Sequence, residues 1–186
     1  MSDPKAPGRL GLVEELVNSV ELPDGEDELA TPATTARWLR AHGEHAAVVT
    51  EAERVRLVDL REALRDLLEV NGGAAVAPER IQVVTQMINA AGLNTVISAE
   101  GARLVPGGQG VQRFIGEIAV AMVAATTDGT WRRLKVCRND QCRWAFFDNS
   151  KNSRRAWCSM QSCGCQSKSR AYRARKRQDL VMSVAE

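Results

Sequence analysis

Between Cys137 and Gly164 the chain reads CRNDQCRWAFFDNSKNSRRAWCSMQSCG, two Cys-x4-Cys pairs separated by fifteen residues. This spacing constrains the fold more than any other feature. Thiols paired on tight turns, with a short insert that brings one pair back to the other, are the usual plan of a closed structural zinc site. The x4 gap is wider than the common x2 but lies within ordinary ligand spacing. The expected ligands of a Zn2+ ion are therefore Cys137, Cys142, Cys158 and Cys163. Four thiolates leave no open position for water, which disfavours catalytic zinc.

The same segment explains why a metal is needed. Residues 134–177 hold few aliphatic side chains and many charges. A unit of about 40 residues without an apolar core usually requires a staple. Metal binding then supplies folding free energy, on the order of 10 kcal/mol in small zinc peptides. Trp144, Phe146, Phe147 and Trp157 are expected to pack around the thiol turns as a miniature core, with stacking on nucleic-acid bases as the alternative.

Charge divides the chain at the same place. The net charge of +2 conceals an N-terminal part, residues 1–130, with 11 Lys/Arg against 19 Asp/Glu. Residues 131–177 carry 14 Lys/Arg against only Asp140 and Asp148. All five cysteines fall in this basic part. Such asymmetry points to a C-terminal module made for a polyanion and an N-terminal module with another task. The expected domains are residues 1–133 and 134–186. The first residues lack the apolar core of a signal peptide and no long apolar run exists, so the expectation is a cytoplasmic chain without a membrane span. Cysteines in a reducing compartment favour metal ligation over disulfides.

The N-terminal part reads as mostly helical. Leu12, Leu16 and Val20 are spaced for one helix face. Thr31 and Pro32 open a helix that Gly43 stops. The strongest periodicity runs from Glu51 to Val70, with Val55, Val58, Ala63, Leu64, Leu67 and Leu68 as its apolar stripe and charge on the other face. Pro78 opens a further helix. Residues 93–105 read as a hairpin turning at Glu100-Gly101. The segment PGGQG is a linker, lacking the lysine and spacing of a phosphate loop, and a buried-looking helix follows. The fold class is thus mainly α: a helical N-terminal domain with one β-hairpin, then a small zinc-stabilised module ending in a basic helix. No catalytic constellation is visible, and the expectation is a protein that is not an enzyme. His42 and His45 read as loop residues.

Beyond Cys163, QSKSRAYRARKRQDL has helical propensity and no Pro or Gly. Arg170, Arg173 and Arg177 share one helical stripe, and Lys168 and Arg175 lie on a neighbouring one. With Arg154 and Arg155 from the insert, and Lys176, they are the candidate DNA contacts. Thiols and cations adjoin because the metal fixes the start of the helix.

The stretch LKVCRNDQCRWAFFDNSKNSRRAWCSMQSCG resembles the CGNR-type zinc finger of bacterial proteins. It shares the two Cys-x4-Cys pairs, an F-x-D-x-S element at Phe146-Phe147-Asp148-Asn149-Ser150, and the stretch Arg155-Ala156-Trp157-Cys158-Ser159-Met160. The preceding region is similar to that family's usual partner, the ABATE domain. There LVNSV (Leu16–Val20) and LATPATTARWLRAHG match its early elements. The resemblance implies a stress-related transcription regulator. The chain departs from the family at Cys163-Gly164-Cys165-Gln166, where the family reads Cys-Gly-Asn-Arg. Cys165 is then a packing residue, an exposed oxidisable thiol, or a ligand exchanging with Cys163. The reading is a DNA-binding transcription regulator whose N-terminal domain senses, dimerises or contacts the transcription machinery. The alternative is docking on RNA polymerase or a sigma factor, with DNA contact secondary.

Overall fold

The computed structural model describes residues 5–22, 25–44, 48–170, 173 and 176. Five helices build the N-terminal part: α1 (Leu10–Val17), α2 (Pro32–Ala41), α3 (Glu51–Val70), α4 (Pro78–Ala91) and α5 (Gly110–Thr127). A hairpin of β1 (Leu93–Ser98) and β2 (Gly101–Pro106) joins α4 to α5. Two short antiparallel strands follow, β3 (Leu134–Val136) and β4 (Ala145–Phe147).

The helix starts are set locally. Thr31 and Thr34 form a reciprocal capping box at α2, with Pro32 in the first turn. Thr50 and Glu53 do the same for α3. Each box satisfies two backbone donors that a helix end otherwise leaves without partners. The hairpin turns one residue earlier than expected. Ser98 pairs with Gly101, so Ala99 and Glu100 form the two-residue loop, and Gly101 takes the left-handed conformation at φ 124°.

α5 runs against α1, α4 and β2, and its Phe114, Ile115 and Ile118 are fully buried. At Gly116 the helix comes so close to β2 that a Cβ would lie 2.5 Å from the Cβ of Pro106. The apolar face of α3 is rotated from the expected stripe. Leu57, Leu60, Ala63, Leu64 and Leu68 are buried, while Val55 stays exposed.

Two arginines share that buried face. Arg61 donates to both carboxylate oxygens of Asp27, at 2.7 and 2.9 Å, and to Ser19 Oγ at 3.2 Å. Arg65 bonds Glu62 and the Val17 carbonyl. Burial alone would push the Asp27 carboxyl up, but the bond from Arg61 holds it below the usual carboxylate range. Asp27, in the acidic loop before α2, is thereby drawn onto α3.

The core continues into the C-terminal segment. Leu134, Val136 and Ala145 belong to the same buried cluster as the helices, and Phe147 packs against it. Helix α1 stops at Val17, and the next side chain is used as a strand edge. Asn18 Nδ2 donates to the Ala145 carbonyl at 2.9 Å, and the Ala145 N–H donates to Asn18 Oδ1 at 2.8 Å. At the far end of α3, Asn71 donates to the carbonyls of Trp131 and Leu134, both at 2.8 Å. Among the described residues no helix is long and apolar enough to cross a membrane.

Candidate metal centre and basic helix

β3 and β4 hold the first thiol turn at their open end. The Cys137 N–H bonds the Trp144 carbonyl at 2.9 Å, extending the ladder by one step. Between them the chain reverses through bonds from the Cys142 and Arg143 N–H groups to the Asn139 carbonyl, at 2.7 and 3.0 Å. Arg143 adopts a left-handed backbone at φ 46°, a conformation that costs a residue with a Cβ about 1 kcal/mol. Its guanidinium is clamped by Asp66 at 3.0 Å and Glu69 at 2.9 Å on α3. The turn is bolted to the helical part through the residue that bears the strain.

The second thiol turn is built differently. Ser159 Oγ accepts the Ser162 N–H at 3.3 Å and caps a wide helical turn, Met160–Gly164. Wide turns of this kind recur at functional sites. This one faces Cys163 inward and leads directly into regular helix over residues 165–170.

The two turns bring the sulfurs of Cys137, Cys142, Cys158 and Cys163 within 4.8 Å of one another. Cys142 and Cys158 are 3.6 Å apart, and Cys158 and Cys163 3.8 Å. A tetrahedral zinc with Zn–S bonds of about 2.3 Å places its sulfurs about 3.8 Å apart. The donor set and its spacing therefore fit a four-thiolate ion. Left to themselves, the thiols share protons. Bonds from Cys142 and Cys158 pull Cys137 down to about 2. The bond to Cys137 pushes Cys142 up to about 12 and drives Cys158 upward too. A divalent cation held by these four cysteines would substitute one central charge for those shared protons. The backbone of Asn139 bonds the Cys137 sulfur and that of Trp144 bonds the Cys142 sulfur, each two residues beyond its cysteine.

Around the thiols, Phe146 and Trp157 form the expected apolar wall. Phe147 joins the main core, and Trp144 is 37% exposed. Asn139 is buried, with Nδ2 3.5 Å from Cys163 Sγ and 3.3 Å from Gln166 Oε1. The chain's own Gln166 thus anchors the residue that touches a candidate ligand. Cys165 lies on the exposed side, outside the thiol cluster.

The F-x-D-x-S element proves to be internal scaffolding. Asp148 is fully buried. Its Oδ1 accepts Ser150 N–H at 3.0 Å and Ser150 Oγ at 2.6 Å. Its Oδ2 accepts Lys135 Nζ at 2.7 Å and the Arg155 N–H at 2.9 Å. Burial would raise this carboxyl, but Lys135, then Ser150 and Arg155, hold it at about 2. Arg155 itself lies over the Phe146 ring, 5.1 Å from its centroid, and donates to the carbonyls of Trp157 and Cys158. Its guanidinium ties the insert to the second thiol turn.

The remaining cations divide. Arg154, Lys168, Arg170, Arg173 and Lys176 are exposed, and Arg173 and Lys176 are helical. Arg170 also reaches back to the first thiol turn, with Nη1 3.2 Å from Asn139 Oδ1 and Nη2 bonded to Gln141. Arg175 and Arg177 lie outside the described residues, as does His45. His42 stacks on Trp38 at 3.9 Å and bonds its carbonyl, outside the thiol cluster. Sequence reasoning missed the roles of Asn18, Asn139 and Arg143. No local pattern marks them, because the partner of each is brought in by the folded chain.

Residues 10–129 match the ABATE family model, described as "putative stress-induced transcription regulator". Residues 133–176 match the CGNR zinc finger. No curated protein matches the chain.

Proposed function

The chain belongs to the ABATE family, and on that premise we propose that it is a DNA-binding transcription regulator whose four cysteines hold Zn2+. Cys137, Cys142, Cys158 and Cys163 would be the ligands, and the ion would act as a structural clamp with no open position for chemistry. The single observation that carries the reading is the junction at Cys163. The second thiol turn runs without a break into the helix that presents Lys168, Arg170, Arg173 and Lys176 to solvent. A charge-bearing helix fixed at its root by a metal is suited to lie along phosphates, and possession of a family regulator domain agrees with that use. Arg154, exposed on the insert, adds a further cation, and Arg175 and Arg177 extend the series in the sequence. Arg155 instead ties the insert to the second thiol turn.

Fluorescence anisotropy on mixed and genomic duplexes tests the proposal, with the metal bound, after chelation, and across a salt series. The expected result is metal-dependent binding whose affinity falls steeply as salt rises. Arg173→Ala and Lys176→Ala should each weaken binding on all sequences and reduce the salt slope by about one. Arg170→Ala should do more than a lost phosphate contact, because its guanidinium also ties the helix to Asn139 and Gln141. Absence of binding at low salt would overturn the DNA reading and turn the search to an acidic protein partner.

A further inference from the structure

A cleft of about 430 Å³ lies where α1, the end of α2 and the first thiol turn meet. Asn18 and Ala145, whose paired backbone and amide groups join the two parts, line it. Its lining includes three aromatic rings, Trp144 from the thiol turn and the stacked pair Trp38 and His42. Glu14, Glu15 and Glu28 also line it, Glu14 being buried with its carboxylate accepting the Ala6 N–H at 2.7 Å. Among the described residues Lys5 is the one ammonium on the rim, 2.7 Å from Glu15. The volume falls in the range of small-molecule sites, and so does the mixture of an apolar surface with a few converging polar groups.

From this geometry we infer that the cleft is a binding site for a small aromatic amine. A flat ring lies on the open face of Trp144, which is 37% exposed, and the ammonium group meets the carboxylates. Even with Glu14 bonded to the backbone, Glu15 and Glu28 against Lys5 disfavour an anion. Ring faces favour an organic cation over a hydrated metal ion, since cation–π attraction and ring stacking reward it. Trp144 contributes only its backbone to the thiol turn, through the bonds to Cys137 and Cys142. Its indole is therefore available to a ligand. Glu15 is divided between Lys5 and His42, the latter at 3.3 Å, so an incoming ammonium replaces the contact of an exposed lysine. The site stands whether or not the basic helix reaches DNA.

Isothermal titration calorimetry of the full, metal-loaded chain tests this with tryptamine as the probe and indole-3-acetate as the anion of matching ring. The expected result is saturable one-to-one binding of tryptamine and at least roughly tenfold weaker binding of indole-3-acetate, the ratio expected from a charge-assisted bond. Glu15→Gln and Trp144→Ala should each weaken tryptamine by about tenfold. Each variant is checked for unchanged metal content and circular dichroism. Glu28→Gln, at an exposed position, gives a second charge test that carries no risk to folding and should weaken binding severalfold. Equal affinity for the two probes, no saturation up to about 10 mM tryptamine, or unchanged affinity in both glutamate variants would overturn the inference.

Discussion

Replacing Asp148 by asparagine should destabilise the C-terminal segment far more than its small change in volume implies. The native carboxylate accepts four hydrogen bonds, from Lys135 Nζ, Ser150 N–H, Ser150 Oγ and Arg155 N–H. The side-chain exposures of Lys135 and Asp148 are 6% and 0%. Asparagine keeps one oxygen and presents an NH2 group to the other pair of donors, whichever way it turns. Removing one partner of a buried ion pair costs about 3–5 kcal/mol. With a urea dependence of about 2 kcal/mol per molar, the unfolding midpoint should fall by roughly 2 M. The measurement is urea unfolding of the metal-saturated chain followed by near-UV circular dichroism, with metal content assayed in parallel. The sign with pH follows from the carboxyl being held at about 2 against burial, chiefly by Lys135. Its contribution is complete above the ordinary carboxylate range and is lost only as pH falls through the folded value. The gap between parent and variant should therefore be flat between about pH 6 and pH 8. Lys135→Met should be costly too, and the double variant should cost less than the two singles combined. A loss below about 1 kcal/mol in Asp148→Asn, or full additivity in the cycle, would refute the keystone role.

Cys142→Ser should lose bound zinc while Cys165→Ser retains one ion per chain, as read by elemental analysis, since Cys165 lies outside the thiol cluster. Chelation should raise amide exchange across residues 137–170 most strongly and reach β3 as well, because Leu134 and Val136 lie in the shared core; hydrogen exchange with mass spectrometry reads both. Gly116→Ala should lower thermal stability by about 1–3 kcal/mol, as its methyl collides with Pro106. Asn18→Ala should cost about 1–3 kcal/mol in a denaturant titration by leaving the Ala145 N–H and carbonyl without their partner, and should weaken the join between α1 and β4.

What the sequence determined by itself is local. Thiol spacing announces the metal turns because each pair closes within a few residues. Thr31-Pro32, Thr50 and Pro78 announce helix starts because caps act within one turn. The family motifs and the charge division are likewise readable along the chain. Tertiary structure decided the rest. The face that α3 buries depends on Asp27 and Val17 arriving to partner Arg61 and Arg65, so two arginines sit where periodicity placed charge outside. Asn18 and Ala145 are 127 positions apart, and Arg143 meets Glu69 across 74. Asp148 and Arg155 stand in a recognisable motif, but only the folded insert makes them supports of the thiol turns rather than surface groups. Polar side chains have no preferred burial until a partner is fixed in space, and the fold supplies those partners from afar.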